Sequence, residues 1–398
     1  MKFKGLATLS LAFTMALLPD SGEASAEKKF EPLPKVEVNN KADQGDYVKG
    51  EVVVKFKEGK SGEKSALDGL KASEIPDDDA VDSEFKVLKV GNVEAVVKAL
   101  NKNPNVEYAE PNYEFDAAWT PNDTYYNSVQ YGPQTTNTPA AWDITRGSTN
   151  QQIAIIDSGV DYNHPDLDDK TIRGYDFIDN DYDPMDENGH GTHVAGTAAA
   201  ETNNSQGVAG MAPDTEILAV RALDASGNGS LAAIADAIRY SADQGAEVIN
   251  LSLGCDCDTQ TLENAVNYAW SQGSLVVAAA GNDGVSTTFE PASYSNVIAV
   301  GAVDENDNRA SFSNYGTWVD VTAPGVDIAS TVPNGGYAYM SGTSMASPHV
   351  AGLAGLLASQ GKSNSEIRSA IENTADPISG TGYYFNDGRI NSYEALSY

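Results

Sequence analysis

Six short apolar runs, Gln152 to Ile156, Ile217 to Ala222, Glu247 to Leu253, Leu275 to Ala280, Val297 to Val303 and Trp318 to Ala323, punctuate the later part of this chain, each bounded by turn residues. Runs this short that stay apolar at successive positions fit strands covered on both faces. Between and after them, Ser230 to Gln244, Thr259 to Gln272 and Ser344 to Gln360 carry helical spacing and end near glycine. Strands alternating with helices demand crossover connections, so the pattern predicts an α/β domain: a parallel sheet flanked by helices on both faces. In such sheets ligands and reactive groups collect beyond the carboxyl ends of the strands, and Asp157 and Asn282 follow two of the runs.

The earlier part reads differently. Lys2 and Lys4 precede an apolar run from Gly5 to Leu18, and Ala24-Ser25-Ala26 is a small-residue cleavage site, so residues 1–26 read as a signal peptide and the protein as secreted. No other apolar run is long enough to span a bilayer. Glu27 to Asp46 is polar with scattered proline and reads as a linker. Strands are expected at Val48 to Lys57, Glu84 to Val90 and Val106 to Phe115, and helices at Ser61 to Ala72 and Val93 to Asn101, which makes a small α+β unit.

The formal net charge is −32, and it is unevenly placed: residues 119–398 hold 35 acids against 9 bases. Such a surface repels phosphate backbones and anionic lipid, which excludes nucleic acid and membrane surfaces as partners and favours calcium. So few bases leave little material for ion-pair networks, which favours adaptation to cold or salt. Both cysteines lie in Gly254-Cys255-Asp256-Cys257. In an oxidising compartment two cysteines ordinarily pair, with free thiols as the rival reading. A bridge across so small a ring shapes its loop and does little for global stability.

Three segments carry nucleophile chemistry: Ile155-Ile156-Asp157-Ser158-Gly159, His190-Gly191-Thr192-His193-Val194-Ala195-Gly196 and Ser341-Gly342-Thr343-Ser344-Met345-Ala346. A serine hydroxyl needs a base within hydrogen-bond reach, and that base needs a carboxylate to fix its tautomer and stabilise its cation. Asp157, His190 and Ser344 fill those roles, with Ser341 and Ser347 as alternatives on residue type alone. Of the other histidines, His193 and His349 suit helix packing and His164 a loop. Ser344 opens a helix, where unpaired N–H groups favour a developing anion, and Asn282 in Ala280-Gly281-Asn282-Asp283 can supply a side-chain N–H to the same oxyanion, with a turn residue before Asp283-Gly284 as the alternative.

These motifs, in the chain order Asp, His, Ser, resemble the subtilisin family of serine proteases, and from about Trp119 to Tyr398 its thermitase-like branch. The Gly342-Thr343-Ser344-Met345-Ala346-Ser347-Pro348 match selects Ser344. The resemblance implies a subtilisin-like catalytic domain over 119–398. It also implies a ferredoxin-like α+β propeptide over 27–118, acting as intramolecular inhibitor and chaperone, with Val106 to Asn112 as its closing strand. Self-cleavage falls near Ala118/Trp119. The implied activity is a monomeric endopeptidase of broad specificity acting on proteins and peptides through an acyl-enzyme. A non-catalytic binding protein on the same fold and an esterase are the alternatives. Substrate lies as an extended strand between Ser252-Leu253-Gly254 and Ala279-Ala280-Gly281, where Phe289 replaces a small residue and either shortens the specificity pocket or fills core.

The resemblance further implies two or three calcium sites. One uses the side chains of Asp123, Asp166 and Asn204 with the carbonyls of Glu201, Gln206 and Val208. A second uses Asp176, Asp179 and Asp181, with Met185 replacing a polar ligand and Asp183 compensating. This stretch, with Asp186 and Glu187, is dense enough in like charge to call for a cation, yet its spacing fails the EF-hand pattern. A weaker site uses the carbonyls of Ala292, Tyr294 and Val297.

Overall fold

A computed structural model of the chain describes residues 16–17, 47–57, 72–74, 84–113 and 119–398. The expected linker, the helix from Ser61 to Ala72, nearly all of the signal segment and Ala118 lie outside the described residues, apart from Ala72 itself. Two compact units result, one formed by residues 26–117 and the other by 118–398 together with 1–25.

In the smaller unit, strands β2 (Tyr47–Phe56), β3 (Ser73–Glu74), β4 (Lys86–Lys89) and β5 (Val106–Tyr113) form an antiparallel sheet in the order β3-β4-β2-β5. Alternate residues of β2, Val52 and Val54, are fully buried and pack with Leu88, Val96 and Leu100 in one core. That alternation turns one face of the sheet onto the Val93–Leu100 helix. Asn92 caps this helix by accepting from Ala95 N at 2.9 Å. Asn101 closes it and clamps β5, donating to Ala109 O at 2.6 Å and accepting from Ala109 N at 2.8 Å.

The larger unit holds an eight-stranded parallel sheet built from β6 (Gln152–Asp157), β7 (Thr171–Asp176), β8 (Glu216–Arg221), β9 (Val248–Leu251), β10 (Leu275–Ala279), β11 (Val297–Val303), β12 (Val321–Pro324) and β15 (Gly388–Arg389). Their order is β15-β12-β11-β10-β9-β6-β8-β7. Ile153 and Ile155 face one core with the helices His190–Ala199 and Thr343–Ser359, while Ala154 and Ile156 face the other with Leu231–Asp243 and Gln260–Gln272. Complete burial of each isoleucine is worth about 1.5–3 kcal/mol, so both faces of β6 are held. The first of these helix pairs packs main chain to main chain. A Cβ at Gly352 would come within 2.6 Å of Ala198 O, and one at Gly191 within 2.0 Å of Gly159 O.

The parallel sheet covered on both faces is as the sequence reads, and its departures have local causes. β7 is an additional edge strand, whose apolar run is interrupted by Arg173-Gly174-Tyr175. An antiparallel hairpin, β13 (Ile328–Val332) and β14 (Gly336–Met340), turns at Asn334 and Gly335, both at positive φ (66° and 71°), and is also absent from the sequence reading. The two-residue strand Ala16–Leu17 (β1) pairs antiparallel with β14. The strand expected from Trp318 begins only at Val321. An extra helix, Asn364–Asn373, starts at a capping box of Ser363 and Glu366.

Chain order places β6 beside β8 on one side and beside β9 on the other, so the connections reverse direction at β6/β9. This is the topological switch point, where an open α/β sheet leaves a crevice beyond the strand ends.

Candidate active site

Asp157 is the last residue of β6 and is fully buried. A carboxylate there stays charged only if hydrogen-bonded, and its Oδ1 accepts from His190 Nδ1–H at 2.6 Å and from Ser158 N at 2.7 Å. That bond leaves Nε2 as the ring's basic nitrogen. His190 opens its helix behind Gly189, whose φ of 103° suits glycine.

The start of this helix is held by Asp186, 6% exposed. Its Oδ1 accepts from Ser158 Oγ (2.9 Å), Asn188 N (2.9 Å) and Gly189 N (2.8 Å), and its Oδ2 from Thr192 N (2.9 Å) and Thr192 Oγ1 (2.6 Å). Ser158 Oγ in turn accepts from Gly191 N at 3.0 Å. The residues beside Asp157 and beside His190 are thereby tied to one carboxylate.

Ser344 is the second residue of the Thr343–Ser359 helix, 4% exposed. Its Oγ donates to Ser252 O at 3.1 Å, and Ser252 Oγ donates back to Ser344 O at 2.8 Å. Ser252 follows β9, so nucleophile and sheet are bonded at the crevice. Ser347, the rival nucleophile, donates to Asn250 Oδ1 at 2.7 Å deep in the core, and Ser341 donates to Asp327 Oδ1 at 3.3 Å.

Asn282 is exposed, yet its orientation is fixed: Oδ1 accepts from Thr343 N at 2.8 Å and from Thr343 Oγ1 at 3.0 Å, which turns the amide nitrogen the other way. A Cβ built on Gly342 would lie 3.6 Å from both Asn282 Nδ2 and Ser344 N. The two donor nitrogens therefore lie on either side of one small space beside Gly342.

The expected cleft walls approach each other through Phe289. A Cβ on Gly254 would be 2.3 Å from Phe289 Cε1, and one on Gly281 would be 3.1 Å from Phe289 Cδ1. Cys255 and Glu290 exchange backbone hydrogen bonds of 2.8 and 2.9 Å, fixing the loop that carries Cys255 and Cys257, whose Cα atoms are 5.2 Å apart.

The other histidines are structural. His193, whose Nε2–H donates to Ile328 O at 2.9 Å, is pushed down to about 3 by burial. His349, donating to Met345 O at 2.8 Å, is pushed to about 4 for the same reason. His164, expected in a loop, is there but fully buried, donating to Gly336 O at 3.0 Å and accepting from Asp166 N at 3.1 Å.

The acidic residues have divergent fates. Asp123 (3% exposed) and Asp166 (fully buried) lie close enough to repel, and burial followed by that repulsion raises the Asp123 carboxyl above its ordinary range against the backbone N–H groups that bind it. Asn204 Nδ2 donates to Asp166 Oδ1 at 2.9 Å and Val208 N to its Oδ2 at 2.9 Å. Gln206 N reaches Asn204 Oδ1 at 2.8 Å, while Glu201 N reaches Asp166 O at 2.8 Å. Two buried carboxylates near enough to repel fit a hard cation.

In the stretch from Asp176 to Glu187, by contrast, the chain supplies a cation of its own. Arg221, 4% exposed at the end of β8, sends Nη1 to Asp176 Oδ2 (3.0 Å) and Asp179 Oδ2 (3.1 Å), and Nη2 to Glu187 Oε2 (2.6 Å). Asp181 Oδ1 accepts from Asp183 N at 2.9 Å, and Asp183 accepts from the Tyr162 hydroxyl. Sequence reasoning missed Arg221, although a lone arginine closing an apolar strand marks a buried charge. Among Ala292, Tyr294 and Val297, the Tyr294 carbonyl already accepts from Val297 N at 3.0 Å. One cluster the sequence reading did not single out, Asp168, Asp169 and Glu201, brings carboxylate oxygens within 4.8 Å of one another.

A hydrogen-bonded acid and imidazole, a serine at a helix start and paired amide donors, all at the switch point of a parallel sheet, define a hydrolase of the serine class. The chain belongs to the subtilase family, which it matches over residues 148–392, and is a serine protease; residues 34–112 match the fervidolysin N-terminal prodomain. It is 69% identical over its whole length, and the whole of the relative's, to the thermophilic serine proteinase of Bacillus sp. (strain AK1). It is 61% identical to thermitase of Thermoactinomyces vulgaris over 70% of this chain and all of thermitase. A solved protease from Pseudoalteromonas arctica PAMC 21717 superposes with a TM-score of 0.64 at 33% identity, covering 70% of this chain and 99% of that one.

Proposed function

We propose that this chain is a secreted, self-maturing endopeptidase in which Asp157, His190 and Ser344 act as one catalytic unit. The observation that carries the reading is the 2.6 Å bond from His190 Nδ1 to Asp157. Ser344 Oγ bonds to the substrate carbonyl carbon while its proton passes to His190 Nε2, and Asp157 stabilises the imidazolium. The oxyanion takes hydrogen bonds from Asn282 Nδ2 and Ser344 N. The carbon–nitrogen bond then breaks as the amine takes the proton from Nε2, and water, deprotonated by His190, releases the acyl group.

Extended substrate binds between Ser252-Leu253-Gly254 and Ala280-Gly281 through main-chain bonds, which supports broad sequence tolerance. Phe289, packed against both glycine walls, supports a shallow pocket that takes small side chains at the cleavage site. Maturation cuts near Ala118/Trp119 and removes 27–118, while export removes 1–26. Cys255 and Cys257 pair as a disulfide. Calcium is held by Asp123, Asp166 and Asn204 with the carbonyls of Glu201, Gln206 and Val208. In the Asp176, Asp179, Asp181 and Asp183 loop, Arg221 already answers two of the four acids, and the Ala292, Tyr294 and Val297 carbonyls form the weaker site. Calcium there adds stability to the folded form and takes no part in acyl transfer.

Ser344→Ala tests the assignment. The variant is expected to accumulate with its prodomain attached and to leave casein uncut; self-processing or casein hydrolysis by that variant overturns it.

A further inference from the structure

We infer that Asn314 is a positioning residue for the oxyanion donor, holding the loop that carries Asn282; the inference rests on the proposed role of Asn282. β10 ends at Ala279 and the last bond to its neighbour is Ala280 N to Val300 O at 3.0 Å, so residues 281–285 lie beyond the ladder of the sheet. Asn282 is exposed, and packing does not set its direction. Its side chain is fixed by Thr343, but that bond is useful only if the backbone beneath it stays in place.

Asn314 supplies the missing ladder. It is 2% exposed and spends its whole amide on this one loop. Nδ2 donates to Ala280 O at 3.0 Å, while Oδ1 accepts from Asp283 N at 3.0 Å and from Val285 N at 3.2 Å. Its own backbone N donates to Gly281 O at 3.0 Å. Every residue from 280 to 285 except Asn282 and Gly284 is thus bonded to Asn314, and Gly284 N is held by Phe312 O at 2.7 Å. The contact is also steric: a Cβ on Gly281 would stand 2.5 Å from Asn314 Nδ2.

Only a planar amide offers a donor and an acceptor side by side in this way. A carboxylate would set an acceptor against Ala280 O, and an aliphatic side chain would leave the buried Ala280 O and the partly buried Asp283 and Val285 N–H groups without this partner. Because oxyanion stabilisation requires donors placed before charge develops, slackening this loop costs transition-state binding in preference to substrate binding.

The test is a double-mutant cycle on the mature enzyme with a chromogenic peptide anilide, comparing Asn314→Ala, Asn282→Ala and the pair. Asn314→Ala is expected to lower kcat by about tenfold or more while KM stays within about twofold, since a displacement of about 1 Å costs on the order of 10² in rate. Affinity for a peptide aldehyde, whose adduct with the serine carries the same oxyanion, should fall by the same factor as kcat. In the Asn282→Ala background, Asn314→Ala should change kcat by less than about twofold. An equal loss in both backgrounds, or a loss confined to KM, overturns the inference. An Asn282→Ala enzyme with undiminished kcat overturns the oxyanion reading itself. Should Asn314→Ala fail to mature, Asn314→Ser, which keeps one polar contact, is taken through the same cycle with the same criteria.

Discussion

Replacing Arg221 with methionine isolates the energetic role of the one buried cation in the acidic loop. The guanidinium contacts Asp176 at 3.0 Å, Asp179 at 3.1 Å and Glu187 at 2.6 Å, but only Asp176, 1% exposed, shares its burial; Asp179 and Glu187 are 63% and 56% exposed. Removing one member of a buried pair strands the other charge and costs about 3–5 kcal/mol. An exposed ion pair is worth about 0–1 kcal/mol. Arg221→Met should therefore be strongly destabilising, while Asp179→Asn and Glu187→Gln are each nearly silent. The assay is the unfolding rate in guanidinium of mature enzyme blocked by a sulfonyl fluoride, so that autolysis does not intrude. It is run in chelator, so that a divalent ion cannot replace the lost guanidinium. If the contact is lost before the unfolding barrier, 3–5 kcal/mol corresponds to an acceleration of about 10² to 5 × 10³-fold. An Arg221→Met enzyme that unfolds no faster than Asp179→Asn refutes the reasoning.

Chelation should lower the melting temperature measured calorimetrically at fixed scan rate, and Asp166→Asn should abolish most of that response. Calcium at about 100 times its dissociation constant contributes about 2.7 kcal/mol. Asp320, raised by burial to about 6 from 3.8 despite its bond from Ala299 N, binds a proton more tightly folded than unfolded. Its contribution is thus complete below the unfolded value and is lost as pH rises through about 6, a slope that Asp320→Asn should remove from unfolding midpoints taken against pH. His193 and His349 have the opposite sign. With folded values of about 3 and 4 against 6.5 unfolded, they erode stability as pH falls below 6.5, and proton NMR should find both rings still neutral at about pH 5.

The sheet, the helices carrying His190 and Ser344 and the placement of Asp157 and Asn282 at or beyond strand ends were legible because apolar runs and short motifs are local signals. What escaped was set by distance in the chain. Asp176, Asp179, Asp183, Asp186 and Glu187 look alike as neighbours in sequence, yet they part company in space: three go to Arg221, Asp186 to the loops around His190 and Asp183 to Tyr162. Asn314 offered no cue, since its partners lie about thirty residues upstream. The expectation drawn from scarce bases also loses its ground. Arg221, Arg368 and Arg389 each bond at least two acids, so few cations still build networks.

The close approach of the two helices at Gly352 and Ala198, and of Gly191 to the end of β6, has a consequence for anyone redesigning this molecule. Reactive groups mounted on scaffolds that approach through glycine leave no side chain to enlarge at those positions, since Met211 Cβ and Ala198 O already close on Gly352. Trimming a leucine elsewhere leaves a void and a softer interior. A methyl added at either glycine would meet a backbone oxygen at 2.6 or 2.0 Å, so main chain would have to shift. Activity can be tuned at the rim, through loops and pocket walls, while the two glycine positions admit no graded series of side chains.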